Sequence, residues 1–573
     1  MALSSVLKKY IPALQWLPNY KKAHLGGDLS AGLTVGIMLI PQGMAYAMLA
    51  GLPPIHGLYA VTIPLILYAI FGTSRQLAVG PVAMVSLLVA AGISALQPNG
   101  MEEYLMLAFT LAFLVGLLQF GMGLLRLGFV VNFLSHPVIS GFTSAAAIII
   151  GLSQIKHLFK IKLPQTEHAQ EILFAMAQEI GNTHVPTLIL GLVAIVIIKY
   201  GKKIHPKFPA PLVAVIVGIL AVSFLNLTAH GVVVLGEVPS GLPSLGMPGF
   251  SMEAWRKLLP VALTIALVGF AESFAVAKAM HQRHKDYHLD ANQELIALGM
   301  ANFGAAFFRG YPITGGFSRT AVNNQAGAKT GLASIISALL IVVTLLFLTG
   351  LFENLPNAVL AAVVLVAVSG LIDMKEPISL WKKDKSDFFM LMATFFITLT
   401  LGIETGIISG MVLSLVAVIY RASKPHMARL GRIPNTNLYR NVSRFSDLEN
   451  DDSFLMVRID GPIYFANISY IKKKLDLWLL DQPNVKCIIL DMEAIPHIDS
   501  SGAHALHDWI HDWKAAGLDF KVSGLRGPVR DILDKWGIIE ELGDHGCYLT
   551  MAEASGVAHD VVPKSFAIQA SKR

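Results

Sequence analysis

Between about residue 29 and residue 421 the chain alternates long apolar blocks with short polar joints. No Asp, Glu, Lys or Arg occurs in 29–74, 76–101, 104–125, 127–155, 208–236, 330–352 or 354–372. Uncharged apolar runs of about 18 residues or more are long enough to cross a bilayer as helices. The pattern predicts fourteen helical segments, at 29–50, 55–72, 80–97, 104–124, 128–157, 185–200, 210–227, 258–281, 290–308, 317–329, 332–352, 357–372, 386–402 and 404–421. Beyond about residue 430 charge becomes frequent. There "SFLMVRI" (Ser453–Ile459), "VKCIILDM" (Val485–Met492) and "FKVSG" (Phe520–Gly524) read as strands. Ile468–Leu480, Ser501–Ala515 and Pro528–Trp536 read as helices, which makes an α/β layer.

Five regions follow from this pattern: an N-terminal segment 1–28, a membrane domain 29–421, a linker 422–452, an α/β domain 453–550 and a flexible tail 551–573. Loop charge tests the membrane assignment. One alternate set of loops carries 18 lysines and arginines, among them Lys8, Lys9, Arg75, Lys199, Lys207, Lys285 and Lys383. The other set carries 5: Lys156, Lys160, Lys162, Arg256 and Lys257. The positive-inside rule then places both termini and the α/β domain in the cytoplasm, consistent with an even number of spans.

Composition agrees. Charged residues make up 14% of the 573, against about 25% in soluble domains. The net charge of +6 is accounted for by loop cations, so no nucleic-acid partner is expected. Two cysteines, Cys487 and Cys547, make no disulfide framework and fit a reducing compartment. The N-terminus lacks a cleavable signal pattern, so the first span is expected to act as its own insertion signal.

An internal repeat is visible. "LTVGIMLIPQGMAYAMLA" (Leu33–Ala50) aligns without gaps on "LTIALVGFAESFAVAKAM" (Leu263–Met280), with Gln42 opposite Glu272. Each copy is followed at a similar distance by a segment broken by Gly and Pro, "LAVGPVAMVS" (Leu77–Ser86) and "PITGGFSRTA" (Pro312–Ala321). Paired broken segments are the sequence pointer to a transporter binding site near the membrane midplane. Seven spans per half is odd, so the halves are inverted relative to each other.

Interrupted backbone inside a bilayer must line protein or water. Each broken segment is expected to run extended and then start a half-helix, near Pro81 and near Phe317–Ser318. Two helix N-termini facing one another offer N–H donors and partial positive charge to an anion. Arg319 adds a full charge at the start of the second half-helix, where a cation is locally unfavourable. Glu272 or a bound anion is expected to compensate it; a permanent Arg319–Glu272 ion pair is the competing structural reading. Glu272 stands mid-span, as an intramembrane carboxyl able to take up and release a proton. The Gln42 amide can donate to an oxyanion. Tyr46 lies one turn on, with ordinary packing as its alternative role. Ser318 and Thr320 either donate hydroxyls to a ligand or cap the half-helix, capping being preferred. The histidines of "HQRHKDYH" (His281–His288) are read as a solvated loop rather than a metal site. Nothing resembles a nucleophile–base set or a phosphate loop, so neither an enzyme nor a cofactor is expected.

"GGDLSAGLTVGIMLIPQGMAYAMLAGLPPIHGLYA" (Gly26–Ala60), "GTSRQLAVGPVAMVSLL" (Gly72–Leu88) and "TGGFSRTAVN" (Thr314–Asn323) resemble the signatures of the SulP sulfate permeases, the family that includes prestin and pendrin. The resemblance covers nearly the whole chain. It implies fourteen segments in two inverted seven-segment repeats, arranged as core and scaffold subdomains. It also implies a homodimer and secondary active anion transport. By position it implies that Gln42, Tyr46, Val82, Ser318 and Arg319 face the anion and that Glu272 matches the acidic residue of proton-coupled sulfate carriers. Sodium coupling is the less favoured alternative. "IDSSGAHAL" (Ile498–Leu506) and "GPIYFAN" (Gly461–Asn467) resemble STAS domains. In soluble relatives a serine of the first loop is phosphorylated, and Ser501 is the match; helix capping by Asp499 or Ser500 is preferred here. The expected function is proton-coupled uptake of sulfate across a bacterial inner membrane. Bicarbonate or dicarboxylate transport, anion exchange, and a membrane-tethered sensor signalling through the STAS domain are the alternatives.

Overall fold

The first apolar block folds as one long helix, α1 (Lys22–Leu49), which runs through Pro41 without a break. It begins earlier than expected and so takes in Asp28 of the predicted N-terminal segment. The computed structural model describes residues 8, 10–129, 135–164, 166, 168–204, 209–284 and 286–556. Residues 130–134 of a predicted span, Lys9, Lys207, Lys285, 1–7 and 557–573 lie outside the described residues.

The chain divides into two compact units, 1–414 and 415–573, with the division falling inside a helix. In the first unit the second block splits into α2 (Pro54–Tyr59) and α3 (Ile63–Phe71), each with a proline in its first turn. There follow β1 (Val79–Gly80), α4 (Ala83–Ser94), α5 (Met101–Leu124), α6 (His136–Phe159), α7 (Ala169–Glu179), α8 (Val185–Ile204) and α9 (Ala210–Phe224). The second half runs α10 (Met252–His281), α11 (Ala291–Phe307), β2 (Thr314–Gly315), α12 (Phe317–Gln325), α13 (Leu332–Val343), α14 (Asn357–Ser369), α15 (Lys375–Lys383), α16 (Lys385–Leu401) and α17 (Ile403–Ser423).

A helix lies at each of the fourteen predicted stretches. Among the described residues, however, only seven helices are long and apolar enough to cross a membrane, or eight if the pair Ala169–Asn182 and Val185–Gly201, bent by 119°, is one span. The difference is geometric. A 12-residue helix such as α4 rises about 18 Å, well short of a hydrocarbon core of about 30 Å.

Two buried carboxylates tie the halves together. Asp28 of α1 is 0% exposed and accepts from Lys329 N (2.7 Å), Thr330 N (3.0 Å), Thr330 Oγ1 (2.7 Å) and the Tyr20 hydroxyl (3.1 Å). Glu294 of α11, also 0% exposed, accepts from the Tyr68 hydroxyl (2.6 Å), Thr73 N (2.7 Å), Thr73 Oγ1 (2.5 Å) and Ser74 N (2.9 Å). Neither needs a cation, because four donors satisfy each. Each buried donor left orphaned costs about 1–3 kcal/mol. Glu294→Ala should therefore lower the thermal unfolding midpoint in detergent far more than Glu294→Gln, which keeps an acceptor oxygen. Equal shifts for the two would show that charge, not donor satisfaction, holds the segment.

The second unit carries a six-stranded sheet in the order β4–β3–β5–β6–β7–β8, formed by β3 (His426–Arg432), β4 (Tyr439–Asn441), β5 (Phe454–Asp460), β6 (Cys487–Asp491), β7 (Asp519–Ser523) and β8 (Cys547–Tyr548). β5 through β8 are parallel and β3 is antiparallel to both its neighbours. α18 (Ile468–Asp481), α19 (Ser500–Ala515) and α20 (Gly527–Lys535) contribute to one core with Val457, Ile488 and Val522. Ala428, Leu430, Met456 and Ile489 join Met551 and Ala552 in a second. The stretch 422–452, expected as a linker, thus supplies two strands. The first residues of the expected flexible tail, Met551–Ala554, form a helical turn packed into the domain. Both cysteines are free, and burial pushes the Cys487 thiol up to about 12, which keeps it protonated.

Candidate functional site

The two broken segments meet. β1 and β2 pair antiparallel, Val79 with Gly315 and Gly80 with Thr314, which sets the starts of α4 and α12 near one another. The N-caps of these half-helices are Val82 and Gly316, and neither start has a side-chain cap. The first-turn N–H groups of both helices are therefore available to a ligand. Capping by Ser318 or Thr320, expected from the sequence, does not occur. Ser318 is exposed, and the Thr320 hydroxyl instead accepts from Ala78 N of the opposite segment (3.0 Å).

The irregular backbone is satisfied by side chains that the sequence reading passed over. Asn302 of α11 accepts from Ile313 N (2.9 Å) and donates to Ile313 O (3.1 Å), copying a peptide pair. Gln119 accepts from the same Asn302 amide (3.0 Å). Ser273 of α10 accepts from Gly315 N (2.7 Å), and the Thr314 hydroxyl donates to Gly269 O (2.6 Å). Uncharged polar residues inside apolar spans were the available signal, because hydrocarbon tolerates such groups only when they are partnered.

A cavity of about 350 Å³ opens at this junction. Tyr46, Val82, Glu272, Ser318 and Arg319 all line it, and Val138, Phe142, Val368 and Ile407 form apolar wall. Five of the six predicted membrane-site residues are thus brought together. The sixth, Gln42, is 5% exposed with its carbonyl oxygen unpartnered and is not in the lining. It stands one turn before Tyr46 on α1.

Arg319 is 2% exposed. Its Nη1 donates to the carbonyl of Pro81, across the junction, while Nε and Nη2 have no partner. Glu272 Oε2 is likewise unpartnered. The permanent Arg319–Glu272 ion pair weighed from the sequence is absent. The guanidinium is given room by glycine at two places. A Cβ on Gly316 would meet Nη2 at 2.9 Å, and one on Gly80, whose φ is +152°, would meet it at 3.4 Å. A buried guanidinium held at one corner, beside two uncapped helix starts, has N–H donors of the kind that suit an oxyanion, and a carboxyl group lines the same cavity.

The histidine stretch is solvent-exposed at Gln282, Arg283, Asp286 and His288, as expected, and anchored at its half-buried residues. His284 bonds Asn324 Oδ1 (2.5 Å), His281 packs on Tyr287, and the Tyr287 hydroxyl donates to Gln76 Oε1 (3.0 Å). No group of three or more metal-ligating side chains occurs among the described residues. In the α/β domain Asp499 caps α19, accepting from Gly502 N (2.7 Å), and Ser501 is exposed in the first turn of that helix.

Residues 25–394 match the model of the sulfate permease family, and 446–554 match the STAS domain. The chain is 39% identical over 584 residues to the chloroplastic sulfate transporter 4.1 of Arabidopsis thaliana, covering 99% of this chain and 85% of the relative. Among solved structures, the murine solute carrier 26 family member A9 anion transporter in its inward-facing state superposes with a TM-score of 0.89 at 27% identity, covering 96% of this chain and 94% of that one. The transmembrane domain of a cyanobacterial bicarbonate transporter, BicA, gives 0.60 at 25% identity over 69% of this chain and 98% of its own.

Proposed function

The chain belongs to the sulfate permease family and is a multi-pass anion transporter, not an enzyme; on that premise we propose that it imports sulfate together with protons. The observation that carries the reading is Arg319, buried with two unpartnered nitrogens at two uncapped half-helix starts. The anion sits between those N-termini and Arg319, with Tyr46, Val82 and Ser318 around it. Gln42, unpartnered one turn before Tyr46, completes the site when the helices shift. Glu272 loads the proton. Bringing in two negative charges against a negative-inside potential costs about 2.3 kcal/mol per charge per 100 mV, and co-transported protons offset that cost.

The architecture that goes with this reading is fourteen segments in two inverted repeats, alternating access, and a homodimer with STAS contacts. Both termini lie in the cytoplasm, at a bacterial inner membrane. In the STAS domain regulation is favoured over signalling, with Ser501 accessible to modification. A sensor would bind anion without net flux, and an intact Arg319–Glu272 site argues against it.

Bicarbonate is the second reading, favoured by the likeness to BicA. Dicarboxylate transport or exchange on the same fold comes after it. Proteoliposome uptake of labelled sulfate, bicarbonate, chloride and dicarboxylates, with and without pH and sodium gradients, decides between them. Sulfate accumulation driven by an inward proton gradient is the expected result. Accumulation of bicarbonate with sodium, and none of sulfate, would overturn it.

A further inference from the structure

A second cavity, of about 380 Å³, is lined by further positions of α1, α4 and α6, three of the elements that line the central one. α1 lines the central cavity at Tyr46 and the second at Met48 and Leu49. α4 lines the first at Ala83 and the second at Ala91 and Ser94, and α6 the first at Phe142 and the second at Lys156 and His157. From Phe142 to Lys156 the rise along α6 is about 21 Å. Between the two linings on the same helices, Ala47, Val85, Ala146, Ile149 and Ile150 are each 0–1% exposed, apart from Ala47 at the same 0%, and belong to one apolar cluster. They form a septum between the two cavities.

Lys156 is the one lysine or arginine that lines the second cavity among the described residues. Lys156, His157 and His168 line it, and no Asp or Glu does so among the described residues. Glu171 answers His168 at 2.9 Å. No carboxylate acts on Lys156, which is half-buried. An uncompensated cation in a low-dielectric cleft focuses field on approaching anions. Lys156 also belongs to the cation-poor set of loops, which puts this cavity on the face opposite the cytoplasm.

We propose that this cavity is the outer encounter site of the transport path. Lys156 draws an inorganic oxyanion into a vestibule, with the His157 ring beside it as a hydrogen-bonding group, and the anion passes to Arg319 when the septum parts. The inference rests on the transport reading above. Both residues also stand in the last turn of α6, where a cation offsets the helix's own carbonyl ends. The test separates the two roles.

Sulfate uptake by intact cells reads the outer face, and uptake by inverted vesicles reads the inner face. In Lys156→Gln the outer KM should rise about tenfold, with the maximal rate little changed. The inner KM should stay put, Lys156→Arg should restore the outer value, and added salt should shrink the difference between variant and parent. An unchanged outer KM, or equal shifts on both faces as a helix-end role predicts, overturns the proposal. If Lys156→Gln does not reach the membrane, His157→Gln in the same assay serves in its place, with a smaller rise expected and an unchanged outer KM again overturning the proposal. A parent chain that moves no sulfate from either face fails the transport reading itself, and is told apart by that.

Discussion

Arg319→Ala should cut saturable anion uptake to a small fraction of the parent's. The arginine contributes the only full positive charge lining the central cavity among the described residues, and two of its nitrogens have no protein acceptor. Truncating one partner of a buried, hydrogen-bonded charge pair costs about 2–5 kcal/mol, so kcat/KM should fall about a hundredfold or more. The half-helix N–H groups remain and leave a weak residual site. Arg319→Lys keeps the charge but loses the fork that reaches Pro81 O and the anion together, and should fall between parent and alanine variant. Sulfate affinity of the purified protein, measured by calorimetry beside the uptake rate, checks this. Affinity unchanged in Arg319→Ala would mean that the side chain serves only to bridge the broken segments through Pro81.

Glu272→Gln removes the pH dependence of uptake while leaving anion binding. Glu272 lines the same cavity as Arg319 without forming an ion pair with it. An ionised Glu272 repels the anion and a protonated one does not. Proton and anion therefore favour each other's binding, and by linkage each raises the other's affinity by the same factor, typically worth about 1–3 kcal/mol. On the proposed reading, sulfate affinity of the parent should rise as pH falls. Glutamine is neutral at every pH, so the variant should bind sulfate with flat, high affinity and exchange it, yet should not accumulate it down a proton gradient. Accumulation that stays proton-driven in Glu272→Gln would sink the role assigned to this carboxyl.

Much of the site was legible before any coordinates. Arg319 and Glu272 announce themselves because an ionisable side chain in an apolar span is too costly to be idle. The Gly/Pro breaks point to half-helix starts because glycine and proline interrupt a hydrophobic helix at a definite residue. Gln42 shows the limit: its repeat partner lines the cavity and it does not, since periodicity places a residue on a face of a helix but not at a depth along it. The strand His426–Arg432 was missed for another reason. Its "HMARLGR" carries three basic residues, and its buried positions Met427, Ala428 and Leu430 are divided between two cores, so no clean alternation is visible.

What the sequence alone determined is the class of molecule. An apolar, charge-poor block followed by an α/β domain, two broken segments, and a cation and a carboxyl each placed inside an apolar stretch all follow from local composition. Those features reflect solvent partition and backbone rules that act within a few residues. What only the tertiary structure decided is which groups meet. Asn302, Ser273 and Thr320 satisfy the broken backbone, Arg319 spans to Pro81 rather than pairing with Glu272, and Glu294 takes all four of its donors, and Asp28 three of its four, from the far half of the unit. Such contacts join residues up to some three hundred positions apart. They are set by how helices pack, for which a one-dimensional pattern carries no distance.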